Sequence, residues 1–236
     1  PSVKMKESLI KSESTLQTIL QTSKVGIAIL NNQLKYVYVN NEWCHLFGYK
    51  TEEIIGHTPA DVTHPKDKSI SDKKLKQLLN KEIDSYRLEK RFMRKDGTLF
   101  WGDLSVSAIQ EKDNTTRIVG IISDITQRKE SHEKLKKFSV AVEQSPAAIL
   151  ITNPEGNIEY VNPQFCNITG YSEDEAIGKN PSILKSNYHS TRFYKNLWDT
   201  ISSGRPWKGE LYNRHKNGMH FWEEAVISPI VDEKNN

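Results

Sequence analysis

The strongest constraint in the sequence is an internal repeat. Tyr38-Val39-Asn40 returns as Tyr160-Val161-Asn162, Cys44 as Cys166, Gly48-Tyr49 as Gly170-Tyr171 and Ile55-Gly56 as Ile177-Gly178, each 122 residues later. Lys95-Asp96-Gly97 with Phe100-Trp101 returns as Lys216-Asn217-Gly218 with Phe221-Trp222, at a spacing of 121. A drift of one residue over that distance predicts two copies of one fold, because solenoid repeats are far shorter.

Within each copy the periodicity switches between strand and helix. Val25 to Leu30 and Leu34 to Val39 read as β-rich runs around an Asn31-Asn32 turn, followed by a short helical region carrying Trp43, Cys44, Leu46 and Phe47. Pro206 to Ile230 reads as two strands joined at Lys216-Asn217-Gly218. The Asn-Gly pair predicts a type I′ turn with φ > 0 at both central residues. Ahead of the first copy, Ser2 to Gln21 reads as an amphipathic helix with Leu9, Leu16, Ile19 and Leu20 near helical spacing. Between the copies, Asp124 to Glu143 carries a narrow seam of Ile125, Arg128, Leu135, Phe138 and Val142 among charges. That segment predicts a helix leaving one domain and entering the next, either a solvated connector or a dimer seam.

Several function classes are excluded by what the chain lacks. The net charge is only +3, with no basic stripe interleaved with aromatics, so no nucleic-acid partner is expected. Two cysteines in 236 residues predict a reducing compartment, and no apolar run is long enough to cross a membrane, so the expected location is cytoplasmic. No metal-ligand spacing, phosphate loop or set of nucleophile, base and orienter is visible, so no catalytic or metal residue is assigned and the chain is not expected to be an enzyme. Cys44 and Cys166 sit on an apolar helical phase and are expected to be inert. The chain starts at Pro1 without an initiator methionine, from which a segment of a longer protein is expected.

Taken together, the YVN triplet, the GY pair, the [ST]-E-[ED]-x-[IA]-I-G run, the K-[DN]-G-x-x-[FY]-W hairpin and the closing Asp124-Ile125-Thr126 resemble the PAS domain family. The resemblance implies an α+β fold: two PAS domains, each a five-stranded antiparallel sheet with helices on one face, joined by a helical linker. The implied layout is an N-terminal amphipathic helix over 1–13, a first PAS domain over 14–126, a linker over 127–137 and a second PAS domain over 138–236 without its last strand.

The second copy resembles the flavin-binding branch of that family, the type found in the bacterial aerotaxis receptor and the nitrogen-fixation redox regulator. An isoalloxazine needs an apolar slot with flat walls and a few donors and acceptors for its edge, which Trp198, Asn213 and Asn180 are able to supply. By the resemblance, Trp198 and Asn213 match flavin contacts, Lys185 stands where an arginine meets the pyrophosphate, and Ser182 and Trp207 complete the candidate FAD set. Plain readings stand beside these. Trp198 is at helical spacing from Phe193, Tyr194 and Leu197, Asn213 is able to serve backbone groups, and a lone lysine is usually solvated. The light-sensing LOV branch carries its adduct-forming cysteine where this chain has Pro181, so a cysteinyl photoadduct is excluded there. His64 and His189 lie where haem-binding members place an axial ligand, yet neither stands in a haem pattern. The first copy has Phe92 at the Asn213 position and no counterpart of Trp198. It is expected to be unliganded or differently liganded, serving as a relay or dimer contact. The resemblance further implies a homodimer and a downstream histidine kinase, cyclase or chemotaxis domain. The competing expectation is a cofactor-free module for dimerisation or small-metabolite binding.

Overall fold

A computed structural model of the chain describes Thr18, Leu20, residues 22–110 and residues 115–231. The helix expected over Ser2 to Gln21 lies outside these residues except for Thr18 and Leu20, which are helical. The chain divides into two compact units with the boundary between Glu133 and Lys134.

In the first unit, β1 (Gly26–Leu30) and β2 (Tyr36–Val39) form an antiparallel hairpin. The helical segments α1 (Asn41–Phe47), α2 (Thr51–Ile54) and α3 (Lys68–Leu79) follow, with 3-10 turns at Pro59–Val62 and Pro65–Asp67. A meander of β3 (Ser85–Met93), β4 (Leu99–Gln110) and β5 (Thr116–Asp124) completes an antiparallel sheet in the order β2-β1-β5-β4-β3. Period-two alternation turns Phe100, Val106, Ile118 and Ile122 inward, where they meet Trp43, Phe47, Ile54, Leu75 and Leu78 from the helices. Aromatic rings form the centre. Trp43 stacks on Phe47 at 4.1 Å between centroids, and Phe47 meets Phe92 and Phe100 edge-on at 5.5 and 5.1 Å. Gly102 makes room for this packing, since a Cβ there would lie 2.6 Å from the Phe92 ring.

The second unit repeats the plan. The linker helix α4 (Thr126–Glu143) crosses the unit boundary, and none of its residues is buried. Then come β6 (Leu150–Thr152), β7 (Ile158–Val161), α5 (Pro163–Thr169), α6 (Glu173–Ala176), a 3-10 turn at Pro181–Leu184, α7 (Thr191–Ser202), β8 (Trp207–Arg214) and β9 (His220–Ile227). Among the described residues the strands form two pairs, β6 with β7 and β8 with β9. Ile158, Val161, Phe165, Ala176 and Leu184 make the core.

The hairpin turn corrects one expectation. Gly218 has φ 93°, but Asn217 does not adopt a positive φ, so the turn is not type I′. Gly218 N–H donates to His215 O at 2.8 Å and His215 N–H to Met219 O at 2.7 Å, the pattern of a three-residue loop ending in a left-handed glycine. The Asn217 side chain accepts from Met219 N–H at 3.0 Å, which favours this turn over the two-residue one. The first copy closes the same way, with Gly97 at φ 83° and Asp96 accepting from Thr98 N–H at 2.9 Å.

Asn40 and Asn162 are 1% and 0% exposed and hold the same four backbone groups in each copy. The Asn40 Oδ1 accepts from Ile27 and Trp43 N–H at 2.8 and 2.9 Å, and Nδ2 donates to Leu20 and Val25 O at 2.8 and 3.0 Å. The Asn162 Oδ1 accepts from Ile149 and Phe165 N–H at 2.8 and 3.0 Å, and Nδ2 donates to Val142 and Ala147 O at 3.1 and 3.0 Å. Truncation of either amide strands buried backbone groups. Asn40→Ala and Asn162→Ala are each expected to cost about 2–4 kcal/mol, read from urea unfolding. A cost below about 0.5 kcal/mol would mean that water replaces the amide.

Candidate functional site

The two copies differ most on the inner face of the hairpin. In the second unit Trp207, Gly209, Leu211 and Asn213 share one face of β8, and Trp207 and Asn213 are buried. Asn213 Nδ2 donates to Glu223 Oε1 at 2.6 Å, diagonally across the hairpin. Burial pushes the Glu223 carboxyl up, and the bond from Asn213 pulls the other way. The corresponding positions of the first unit are Phe92 and Gly102, a ring lying over a glycine. A polar pair thus stands where the other copy is filled with hydrocarbon.

The remaining predicted residues fall into separate groups. Lys185 pairs with Asn213 through an isolated antiparallel bridge, mirrored in the first unit by Thr63 with Phe92. Its side chain is exposed, with Nζ 4.7 Å above the Tyr194 ring. Asn180 caps the 3-10 turn by accepting from Ser182 N–H at 3.0 Å, and its Nδ2 donates to Gly156 O at 3.0 Å. Trp198 lies on the same side, its indole edge 3.9 Å from a Cβ built on Gly156, and is 53% exposed. Asn180, Ser182 and Trp198 therefore gather beside the β6–β7 turn, while Asn213 and Lys185 meet at the hairpin. Trp207 packs at the start of β8 against Phe193, 5.5 Å between centroids, and its ring folds over Gly209.

Both histidines are spent on backbone groups. His189 Nε2 accepts from Tyr212 N–H at 2.9 Å and its ring stacks on Phe193, and His64 Nδ1 accepts from Lys66 N–H at 3.3 Å. Among the described residues no cluster of His, Cys, Asp or Glu is placed to hold a metal ion, and no helix is long and apolar enough to cross a membrane. Cys44 and Cys166 are half-buried, and burial pushes the Cys166 thiol up, away from the reactive thiolate.

One residue of the first unit escaped the sequence reading. Lys90 is 2% exposed, with Nζ donating to Thr63 Oγ1 at 2.9 Å and to Ser71 Oγ at 2.6 Å. Burial pushes its ammonium down to about 8, with Asp72 and Asp67 partly offsetting. The available signal was a cation on the apolar phase of β3, between Leu88 and Phe92.

Comparison with known proteins decides the family. The model of the PAS fold matches residues 36–122, and that of the PAS domain matches residues 146–236. The chain is a tandem pair of PAS domains. Its similarity to the nitrogen fixation regulatory protein of Klebsiella pneumoniae is 35% identity over 95 residues, 40% of this chain and 19% of that protein. To the oxygen sensor protein DosP of Escherichia coli K12 it is 23% over 223 residues, 90% of this chain and 27% of that protein. To the aerotaxis receptor of the same organism it is 26% over 103 residues, 44% of this chain and 20% of that protein. The PAS pair thus spans between about a fifth and about a quarter of these relatives.

A lowered lysine pKa sets the sign of a pH effect in the first PAS domain. Below pH 8 both folded and unfolded chains keep the Lys90 proton, and the folded state carries the burial cost. Between about 8 and the ordinary lysine value near 10.5 only the unfolded chain is protonated, so stability rises with pH. The rise amounts to about 3 kcal/mol at most. Lys90→Met is expected to flatten it in urea unfolding across that range. A wild-type profile already as flat as the variant's would mean that the ammonium is hydrated in solution.

Proposed function

We propose that the chain is the sensory input region of a bacterial signal-transduction protein, with FAD held in the second PAS domain and reporting redox state or oxygen. The observation that carries this reading is the Asn213–Glu223 pair, a buried amide and a half-buried carboxylate on the inner face of the hairpin. A heteroaromatic edge offers complementary donors and acceptors to such a pair, which a hydrocarbon filling like Phe92 lacks. Lys185, bridged to Asn213, supplies a cation beside it for a phosphate. The named relatives, a nitrogen fixation regulator, an oxygen sensor and an aerotaxis receptor, agree with a sensory role.

Bound there, FAD supplies a couple whose reduced form differs in protons and charge at the ring edge. The chain's own response runs through Asn213. When its amide turns from Glu223, the carboxylate loses a donor in a half-buried place and its proton affinity rises. Lys208 and Glu224 hold the outer side of the same strands at 2.8 Å. The first PAS domain relays or dimerises, with Leu135 and Phe138 of α4, 69% and 59% exposed, as the seam for a second copy. The effector is a histidine kinase, cyclase or chemotaxis module in the cytoplasm.

A second reading, a cofactor-free module, draws on Trp198, which is half in water and not enclosed in a slot. The absorption spectrum of the purified chain separates the two. A two-band flavin spectrum bleached by dithionite, with one FAD released per chain, is expected. Asn213→Leu is expected to lower FAD retention about tenfold, the scale of one lost charge-assisted or buried bond. A colourless chain that takes up no added FAD would leave the cofactor-free reading.

A further inference from the structure

The first PAS domain holds a partly open cavity of about 50 Å³ on the inner face of its sheet. At 10–15 Å³ for each water-sized centre, that is room for roughly four non-hydrogen atoms. Leu30, Trp43, Phe47, Leu75, Phe92 and Ile118 give it apolar walls. A cavity with only such walls would stay dry and take hydrocarbon. This one is lined by Lys90 as well.

The Lys90 ammonium has three N–H donors, and two are spent on Thr63 and Ser71. The third has no acceptor among the described residues, where Nζ stands 4.6 Å above the Phe92 ring. No carboxylate among the described residues lies within ion-pair distance of it. Asp72 and Asp67 act on it only from beyond that distance, and Asp67 is taken by Arg91 at 2.7 Å. A buried cation without a counter-ion is costly, and an anion brought to it recovers part of that cost.

We propose that the first PAS domain binds a small carboxylate with a short apolar tail, the carboxylate on Lys90 and the tail against the aromatic and aliphatic walls. A neutral alcohol or amide of the same size leaves the cation unpaired. Inorganic phosphate carries no apolar part for these walls and needs more donors than one ammonium and a hydroxyl or two supply. The chemistry is specific to the first copy. Lys90 pairs with Gly102 in the first hairpin, and the matching position of the second hairpin, paired with Glu223, is Leu211. The first domain then adds a metabolite input independent of any flavin in the second.

The test is a methyl NMR titration of the full chain at constant ionic strength, following Ile118 and Ile122 of the cavity wall. The probes are acetate, whose four non-hydrogen atoms match the cavity, and propionate, one atom longer, with acetamide as the neutral control. Saturable shifts at these methyls are expected, with the carboxylates binding at least roughly tenfold more tightly than the amide. Lys90→Met should abolish that preference. Gly120→Ala adds a methyl that meets Leu104 Cδ1 at an ordinary 3.7 Å, so it narrows the cavity and should weaken propionate more than acetate. No saturable shift with either acid, equal binding of the amide, or undiminished carboxylate binding by Lys90→Met would each overturn the proposal.

Discussion

In each PAS domain one buried asparagine ties together three backbone segments through four hydrogen bonds. Asn162 bonds the last turn of α4 through Val142, the loop into β6 through Ala147 and Ile149, and the first turn of α5 through Phe165. No other side chain of similar size provides two donors and two acceptors in one plane, and aspartate would lose both donations. Because all four partners are main-chain groups, the bond set fixes geometry without depending on neighbouring side chains. The helix entering the domain, the first strand and the first helix of the layer therefore move as one body.

The copies share this frame and diverge behind it. On the inner face, the first unit presents Lys90, Phe92 and Gly102, and the second presents Leu211, Asn213 and Glu223. The first set carries one polar group into hydrocarbon and the second carries a bonded pair, at different depths along the strands. Lys90 is covered by Thr63 and Ser71 from the helical layer, whereas Asn213 is answered across the hairpin by Glu223. Duplicated frames with exchanged polar positions give two inner sheet faces of different chemistry in one chain.

That frame was legible in the sequence because it rests on residues with few substitutes. Gly48 and Gly170 end their helices at φ 75° and 76°, and Asn40 and Asn162 are the caps, so identity at these positions marked the repeat. The Lys216-Asn217-Gly218 turn was located correctly but given the wrong type, since the choice lay in a side-chain bond from Asn217 that a dipeptide rule ignores. Spacing alone left the exposure of Trp198 open, because α7 has several aromatic positions and only tertiary packing decides which one is covered. Phe193 took that place against Trp207. Lys90 drew no reading from the sequence because charged side chains are rarely buried, while strand phase places it inside.

The way out of the first domain runs through Asp124-Ile125-Thr126, and the strength of the contacts there differs. Arg128 and Lys129 meet Glu89 at 2.6 Å each, but these are surface pairs that solvent and salt screen. The firmer attachments involve backbone. Ile125 N–H donates to Trp101 O at 2.8 Å, Trp101 N–H donates to Thr126 Oγ1 at 2.9 Å, and Asp124 accepts from Thr126 N–H at 2.8 Å. These bonds extend the β4 ladder into the first turn of α4, so a change in β4 reaches the helix through main-chain geometry. At its other end α4 is held by the Asn162 bond to Val142 and by Tyr160, whose hydroxyl donates to Glu143 at 2.7 Å. The helix is thus fastened at both ends by short, directional bonds and buried nowhere between them.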